Sequence, residues 1–245
     1  MTHRMPALLG PEPVFPPVEL ALREPDGLLA VGGDLSIPRL LAAYRHGIFP
    51  WYSAGQPILW WSPDPRMVFL TEDGVRLSSK FRRELRRSAW SVRADTRFAE
   101  VIEACAKTPR PGQRGTWIVP AMRKAYGALH DAGHAHSVEV FDGDRLVGGL
   151  YGVAVGAMFF AESMYSGESG GSKVALAALA HRLREWGWPL IDAQVENDHL
   201  VRMGARTMAR EAFMRVVGSQ ASADEAPASW TERFGTLEAA TLSAA

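Results

Sequence analysis

Two polar residues interrupt an apolar run, Ile191-Asp192-Ala193-Gln194-Val195. Read as a β-strand, the run alternates, so Asp192 and Gln194 share one face and Ile191, Ala193 and Val195 the other. Such a pair is either satisfied at a strand end or is a carboxylate orienting an amide that meets substrate. A second pattern is electrostatic. On a helical wheel Lys80, Arg82, Arg83, Arg86 and Arg87 fill about 160 degrees opposite Phe81 and Leu85. With Glu84 the single acid among them, five cations less one acid leave +4 on a chain of formal net charge zero. That face fits phosphates as readily as bulk water, and the partner it suits is polyanionic.

Other reactive types carry less. His130, His134 and His136 have ligand-like spacing, but they straddle a helix end and a strand start with no cysteine nearby, so no metal is expected. Cys105 falls on a packed helical face. Ser163 and Ser166 follow Glu162 without a Gly-x-Ser-x-Gly elbow, which disfavours a serine hydrolase. Glycines in the stretch 167–171 precede a helix but lack the lysine of a P-loop and the dinucleotide spacing, so ATPase and dehydrogenase readings fail.

The elements that position these groups follow from periodicity. Residues 1–66 are dense in proline and read as a small, aromatic-rich N-terminal domain. Its predicted helix, 38–46, has Ser36 as N-cap, Leu40, Leu41 and Tyr44 on one face and Gly47 as the stop. Phe49, Trp51, Tyr52, Trp60 and Trp61 cluster beside it, five of the chain's 23 aromatics, and suit a small ring-built core. From 67 to 218 a second domain is expected. Helices are predicted at 79–87, at 96–107 behind Asp95 as N-cap with Phe98, Val101, Ile102 and Cys105 in line, and from Pro120 with Met122, Ala125, Tyr126 and Leu129 stacked. The period then becomes two. Strands at 136–141 and 145–153 flank the turn Asp142-Gly143-Asp144, and a third returns over 157–163. A helix over 172–186 and a strand over 190–195 follow. Strand, strand, strand, helix, strand predicts an α+β domain of the acyltransferase kind, whose sheet splays beside a helix N-terminus. The Ala/Ser/Thr-rich tail, 219–245, is expected to fray, with Trp230 and Phe234 able to tack part of it down.

Composition sets outer bounds. With 245 residues, 47% apolar and 22% charged types, the chain is long enough for one or two folded domains and is neither disordered nor collagenous. One cysteine favours a reducing compartment, hence the cytoplasm, and no run reaches the ~20 apolar residues of a membrane span.

Several segments, in order over about residues 20–215, resemble the leucyl/phenylalanyl-tRNA–protein transferase family. They are Gly27-Leu-Leu-Ala-Val-Gly-Gly-Asp-Leu-Ser36, Gly47-Ile-Phe-Pro-Trp-Tyr52, Pro57-Ile-Leu-Trp-Trp-Ser-Pro-Asp-Pro-Arg66, Gly115-Thr-Trp-Ile118, His134-Ala-His-Ser-Val-Glu139, Leu146-Val-Gly-Gly-Leu-Tyr-Gly152, Glu162-Ser-Met164 and Ile191-Asp-Ala-Gln194. The resemblance implies a GNAT-type acyltransferase domain with a mostly antiparallel sheet flanked by helices. The implied reaction moves Leu or Phe, less readily Met, from aminoacyl-tRNA to the α-amine of proteins beginning with Arg or Lys, in the bacterial N-end rule pathway. It further implies a cytoplasmic, monomeric enzyme without a cofactor. Asp192 and Gln194 fall on the catalytic positions, and Trp51, Trp117, Phe159, Glu162, Leu179 and Asn197 on substrate-pocket positions. Lys80, Arg82, Arg83, Arg86 and Arg87 fall where the family contacts tRNA. Two departures stand out: Gly167-Glu-Ser-Gly-Gly171 lacks the arginine usual after the serine, and Ala193 replaces a frequent cysteine.

The residues suit that reaction. An aminoacyl ester is already activated, and an α-amine of pKa near ~8 is about one-tenth neutral at pH 7, so aminolysis needs mainly positioning and a proton path. Asp192 is expected to hold Gln194 so that the amide oxygen accepts a hydrogen bond from the attacking amine. Glu162 ends the apolar run 157–161 and is expected to meet the acceptor's cation, with Asp192 the other candidate for that role. Strict alternation puts Phe159 and Glu162 on opposite faces, so a bulge or a second pocket is required. The competing readings are a coenzyme-A-dependent N-acyltransferase of the same fold and a non-catalytic tRNA-binding module.

Overall fold

The computed structural model describes residues 5–109, 116–221 and 229–244. The N-terminal part holds β1 (Ala7–Leu9), β2 (Leu28–Gly32), α1 (Ile37–Arg45), β3 (Phe49–Pro50) and β4 (Leu59–Trp61), the strands forming one sheet in the order β1-β2-β4-β3. Next come β5 (Arg66–Leu70), α2 (Ser79–Leu85), β6 (Trp90–Ala94), α3 (Phe98–Lys107), α4 (Pro120–Asp131), β7 (Ala135–Asp142), β8 (Arg145–Val155) and β9 (Met158–Ser166). The remainder is α5 (Gly171–Glu185), β10 (Leu190–Gln194), α6 (Asp198–Arg202), β11 (Arg206–Met208), α7 (Arg210–Gln220), α8 (Trp230–Phe234), β12 (Leu237–Glu238) and a 3-10 segment over Ala239–Ala244. The class is α+β: a small N-terminal unit, then an eight-stranded sheet in the order β11-β5-β10-β9-β8-β7-β6-β12 flanked by helices.

All neighbours in the large sheet are antiparallel except β9 and β10. That parallel pair meets only at Phe159–Ile191 and Phe160–Asp192. Beyond it β9 stays with β8 as far as Ser166, while β10 stays with β5, so the sheet opens between them. Each lip of the opening carries a bulge. Gly152 faces Ala161 and Tyr151 faces Ser163, which leaves Glu162 as the extra residue of β9. Val68 faces Asp192 and Met67 faces Gln194, which leaves Ala193 as the extra residue of β10. An extra residue kinks its strand and re-aims the side chains around it.

One face of the sheet takes α5, whose ten buried residues run from Gly171 to Leu183. The helix comes so close to β8 that a Cβ on Gly148 would lie 2.5 Å from the Gly171 backbone, so the β8 position must be glycine. The other face is covered by α3 and α4, whose buried stripes, Phe98-Val101-Ile102-Cys105 and Met122-Ala125-Tyr126-Leu129, are those the periodicity predicts. Their core is continuous with the N-terminal unit through Leu40, Tyr44 and Trp60.

Two local expectations fail. Asp95 does not cap α3, which starts at Phe98 behind Arg97; with φ of 57°, Asp95 bonds the Ser137 N–H and His136 Nδ1 instead. A carboxylate within reach of a strand N–H and an imidazole is drawn to them in preference to the helix end. The C-terminal segment does not fray over residues 229–244: Trp230, Phe234, Leu237, Ala239 and Leu242 are buried and β12 pairs with β6. Indole and aliphatic burial outweighs the ordering cost there. Among the described residues no helix is long and apolar enough to cross a membrane.

Candidate active site

Where β9 and β10 separate, a cavity of about 330 Å³ opens between the two units. Its wall includes Phe49, Pro50 and Trp51 from the N-terminal unit, Trp117 before α4, Glu162 and Met164 on β9, Leu176 on α5, and Gln194 and Asn197 around the end of β10. Rings and aliphatic groups form most of it, with a few polar groups converging, as in sites that bind small ligands. Trp51 is fixed from two sides: its N–H donates to Leu59 O, and its own carbonyl accepts the Trp61 indole N–H at 2.7 Å. Asn197 lines the cavity while its Oδ1 caps α6 by accepting the Leu200 N–H at 3.0 Å.

Glu162 projects inward because of its bulge. Its Oε1 accepts Gln194 Nε2–H at 2.7 Å and Tyr44 O–H at 2.8 Å, and its Oε2 lies in hydrogen-bond contact with the Tyr126 hydroxyl at 2.8 Å. Burial, reinforced by the negative charge of Asp192, raises the carboxyl to about 7 despite these donors. Tyr44 and Tyr126 are both fully buried, and desolvation with the Glu162 charge holds their hydroxyls well above the usual phenol range.

Asp192 and Gln194 do not act on one face as strict alternation predicts. The extra residue Ala193 and a left-handed φ of 65° at Gln194 turn the two side chains apart. Asp192 points into the core, where Arg66 meets it through Nε at 2.8 Å and Nη2 at 2.7 Å, both groups wholly shielded from water. The guanidinium also donates to Gly47 O and lies between the Phe49 and Phe213 rings, 4.8 and 4.7 Å from their centroids. Asp192 does hold Gln194, but through the backbone: its Oδ1 accepts the Gln194 N–H at 2.9 Å and stabilises the left-handed turn. The Gln194 side chain then reaches Glu162 across the opening.

Of the pocket positions inferred from sequence, Trp51, Trp117, Glu162 and Asn197 line the cavity; Phe159 and Leu179 are fully buried in the core and do not. Phe159 packs 5.6 Å from Trp230. Arg66, Tyr44, Tyr126, Met164 and Leu176 belong to the site or its support without having been singled out for it. The two tyrosines were legible only as members of apolar helix faces; the usable signal was that a buried phenol needs a partner for its hydroxyl.

The arginine-rich segment starts as α2, capped by Ser78 Oγ accepting the Phe81 N–H, but the helix ends at Leu85 so that Arg86 and Arg87 sit in the following turn. Lys80, Arg83, Arg86 and Arg87 are exposed, while Arg82 is half-buried and donates to Leu77 O. Phe81 packs against Gly170 at the start of α5, and Lys173 lies over its ring at 5.8 Å. The cations therefore flank the first turn of the helix whose next turn supplies Leu176. Two of the three histidines serve packing: His130 stacks on Phe98 at 4.2 Å, and His136 bonds Asp95 and stacks on Trp230 at 4.0 Å. Among the described residues no three His, Cys, Asp or Glu side chains are grouped as metal ligands would be. Gly115 of the Gly-Thr-Trp-Ile motif lies outside the described residues.

Known proteins place this arrangement. Residues 69–218 match the family model for leucyl/phenylalanyl-tRNA protein transferase, and residues 33–64 match that of its N-terminal domain. Proteins named leucyl/phenylalanyl-tRNA–protein transferase share 63% identity in Xanthomonas campestris pv. campestris, over 99% of this chain and 98% of theirs, and 68% in Xanthomonas oryzae pv. oryzae, over 93% and 91%. The Xylella fastidiosa relative of the same name is 60% identical over 95% of this chain and 96% of its own. Among solved structures, L-PGS from Bacillus licheniformis superposes with a TM-score of 0.38 at 8% identity, over 69% of this chain and 53% of its own. With both units matched in order and nearly the whole length shared with these relatives, the chain belongs to the leucyl/phenylalanyl-tRNA–protein transferases, enzymes that transfer an aminoacyl group from tRNA to protein.

Proposed function

We propose that this enzyme moves Leu or Phe from aminoacyl-tRNA to the α-amine of proteins beginning with Arg or Lys, in the cytoplasm, as a step of bacterial N-end rule degradation. One observation carries the choice of acceptor. Among the described residues Glu162 is the only carboxyl on the cavity wall, and Asp192 lies behind it, paired with Arg66. A cationic side chain entering the cavity meets Glu162 and no other acid of the described residues. Rings and aliphatic groups such as Trp51, Trp117, Met164 and Leu176 suit the Leu or Phe side chain of the donor. The exposed cations of α2 suit the tRNA phosphates, which would bring the charged 3′ end past the start of α5.

The chemistry asks for little beyond placement. The neutral amine nitrogen forms the new bond to the carbonyl carbon, the ester C–O bond breaks, and the proton that the amine gives up ends on the leaving tRNA oxygen. Gln194, with its Nε2 committed to Glu162, offers its amide oxygen to the attacking N–H.

The reading is tested by transfer of labelled Leu from charged tRNA to a peptide beginning with Arg. Glu162→Gln, which keeps shape and removes charge, is expected to raise KM for the Arg-peptide by an amount equivalent to ~1–3 kcal/mol, with a smaller effect on a Met-peptide. Equal losses on both peptides in a variant with an unchanged melting curve overturn the acceptor assignment. Transfer from a coenzyme A thioester in place of charged tRNA overturns the donor assignment.

A further inference from the structure

Glu162 on the cavity wall and two fully buried tyrosines from separate elements form a closed circuit of oxygens. Tyr44 on α1 and Tyr126 on α4 lie 2.5 Å apart, hydroxyl to hydroxyl. Tyr44 is 2.8 Å from Glu162 Oε1, and Tyr126 is 2.8 Å from Glu162 Oε2. Three oxygen contacts at these lengths need three hydrogens, because two lone pairs facing each other at that distance repel.

Two tyrosines and an ionised carboxylate supply two hydrogens; a protonated carboxyl supplies the third. The Gln194 contact sets the sense of the circuit. Oε1 already accepts Gln194 Nε2–H, so it is the carbonyl oxygen and Oε2 carries the proton. Oε2–H donates to Tyr126, Tyr126 to Tyr44, and Tyr44 to Oε1.

We propose that Tyr44 and Tyr126 are positioning residues for acceptor recognition: their ring with Glu162 holds the carboxyl protonated while the cavity is empty, and a cationic acceptor side chain binds by expelling that proton. The inference rests on the acceptor reading above and deepens it. A neutral carboxyl gives a guanidinium or ammonium no charge to pair with, so the cation must first drive the proton off. In doing so it leaves one of the three ring contacts without a hydrogen, and that contact lengthens. Among the described residues, the charged and titratable groups facing the ring are Asp192 with its partner Arg66 behind it, and Tyr151 on β8 beside both tyrosines. The Asp192–Arg66 pair is matched in charge, and no second cation faces the ring among these groups to hold Glu162 ionised. The raised carboxyl, at about 7, agrees with the hydrogen count.

The test is calorimetric titration of the full chain, without tRNA, with a peptide beginning with Arg and with its citrulline counterpart, isosteric but uncharged. Each is run in buffers of low and high ionisation enthalpy. Near one proton released per Arg-peptide at pH 6, falling toward none at pH 8.5, with none for citrulline at either pH, is the expected result. Affinity for the Arg-peptide is expected to rise roughly tenfold from pH 6 to pH 8, as the competent ionised fraction grows. Tyr44→Phe and Tyr126→Phe are expected to keep the melting curve and move the midpoint of that rise by half a pH unit or more; Glu162→Gln abolishes the proton release.

If the peptide binds only beside charged tRNA, KM against pH gives the same comparison. Arg-peptide binding with no proton released between pH 5.5 and 8 overturns the protonated ring, and a midpoint indifferent to both phenylalanine variants overturns the tyrosines' part. An enzyme that neither binds nor modifies the Arg-peptide overturns the acceptor reading itself.

Discussion

Arg66 and Asp192 are both wholly excluded from water, and removing one leaves the other's charge bare in the core. Asp192→Ala is therefore expected to cost ~3–5 kcal/mol of stability, seen as a large fall in melting temperature, so its lost transfer reports a damaged support. Gln194→Ala removes a group at the cavity and is expected to slow single-turnover transfer by ~10²-fold while melting stays near normal. A folded, fully active Asp192→Ala would contradict the description of the pair. Glu139 offers a second residue-scale test. It is fully buried on β7, and desolvation outweighs the donors Ser137 and Thr96 to raise it to about 7. A carboxyl that binds protons more tightly when folded favours folding fully below pH ~4.5, and that contribution is lost as pH rises through about 7. Glu139→Gln should remove part of this loss, roughly 3 kcal/mol at most. Denaturant unfolding of both proteins at pH 5 and pH 8 checks the sign: the variant's relative stability must improve at the higher pH.

At the level of elements, α2 and its following turn carry the exposed cations outward from the start of α5. Replacing Arg82, Arg83, Arg86 and Arg87 by Ala is expected to weaken tRNA binding and flatten its salt dependence by about one unit of log–log slope per lost phosphate contact. Because Arg82 donates to Leu77 O, it is expected to contribute less to the slope than Arg83, Arg86 or Arg87. An unchanged slope would make the segment an ordinary solvated face. These cations were legible in sequence because a run of like charges is local information. So were the α3 and α4 stripes and the Asp142–Asp144 turn, each set within a dozen residues. The opening between β9 and β10 was half legible: strict alternation puts Phe159 and Glu162 on opposite faces, which called for a bulge or a second pocket; Glu162 is the bulged residue, while Phe159 stays in the core and off the cavity wall. The bulge at Ala193 was not legible, since it arises from how β10 registers on β5 more than 120 residues earlier. Short strands such as β5 and β6 were also missed, because five residues with one partner on each side carry too little pattern to stand out.

Across the whole molecule, the two edges of the large sheet are finished by β11 and β12, the latest strands in the chain. Trp230, just before β12, fastens that edge: its ring lies 4.0 Å from His136, 5.1 Å from Trp186, 5.6 Å from Phe159 and 5.9 Å from Trp188. Trp230→Ala is expected to cost ~3–5 kcal/mol, and deleting residues 229–245 to expose the β6 edge and promote self-association, measurable by light scattering. A deletion that melts like the intact protein and stays monodisperse would show the segment to be an accessory. The Arg66–Asp192 pair has a kinetic side as well. Its partners are 126 positions apart, and the strands that carry them must find each other across a loop holding β6 to β9. Helices and the β7–β8 hairpin close over short loops and form early, whereas contacts of such separation wait for the rest of the chain. The cavity is bounded by the last of these pairings, so refolding should restore helical signal first and aminoacyl transfer only with the slowest phase.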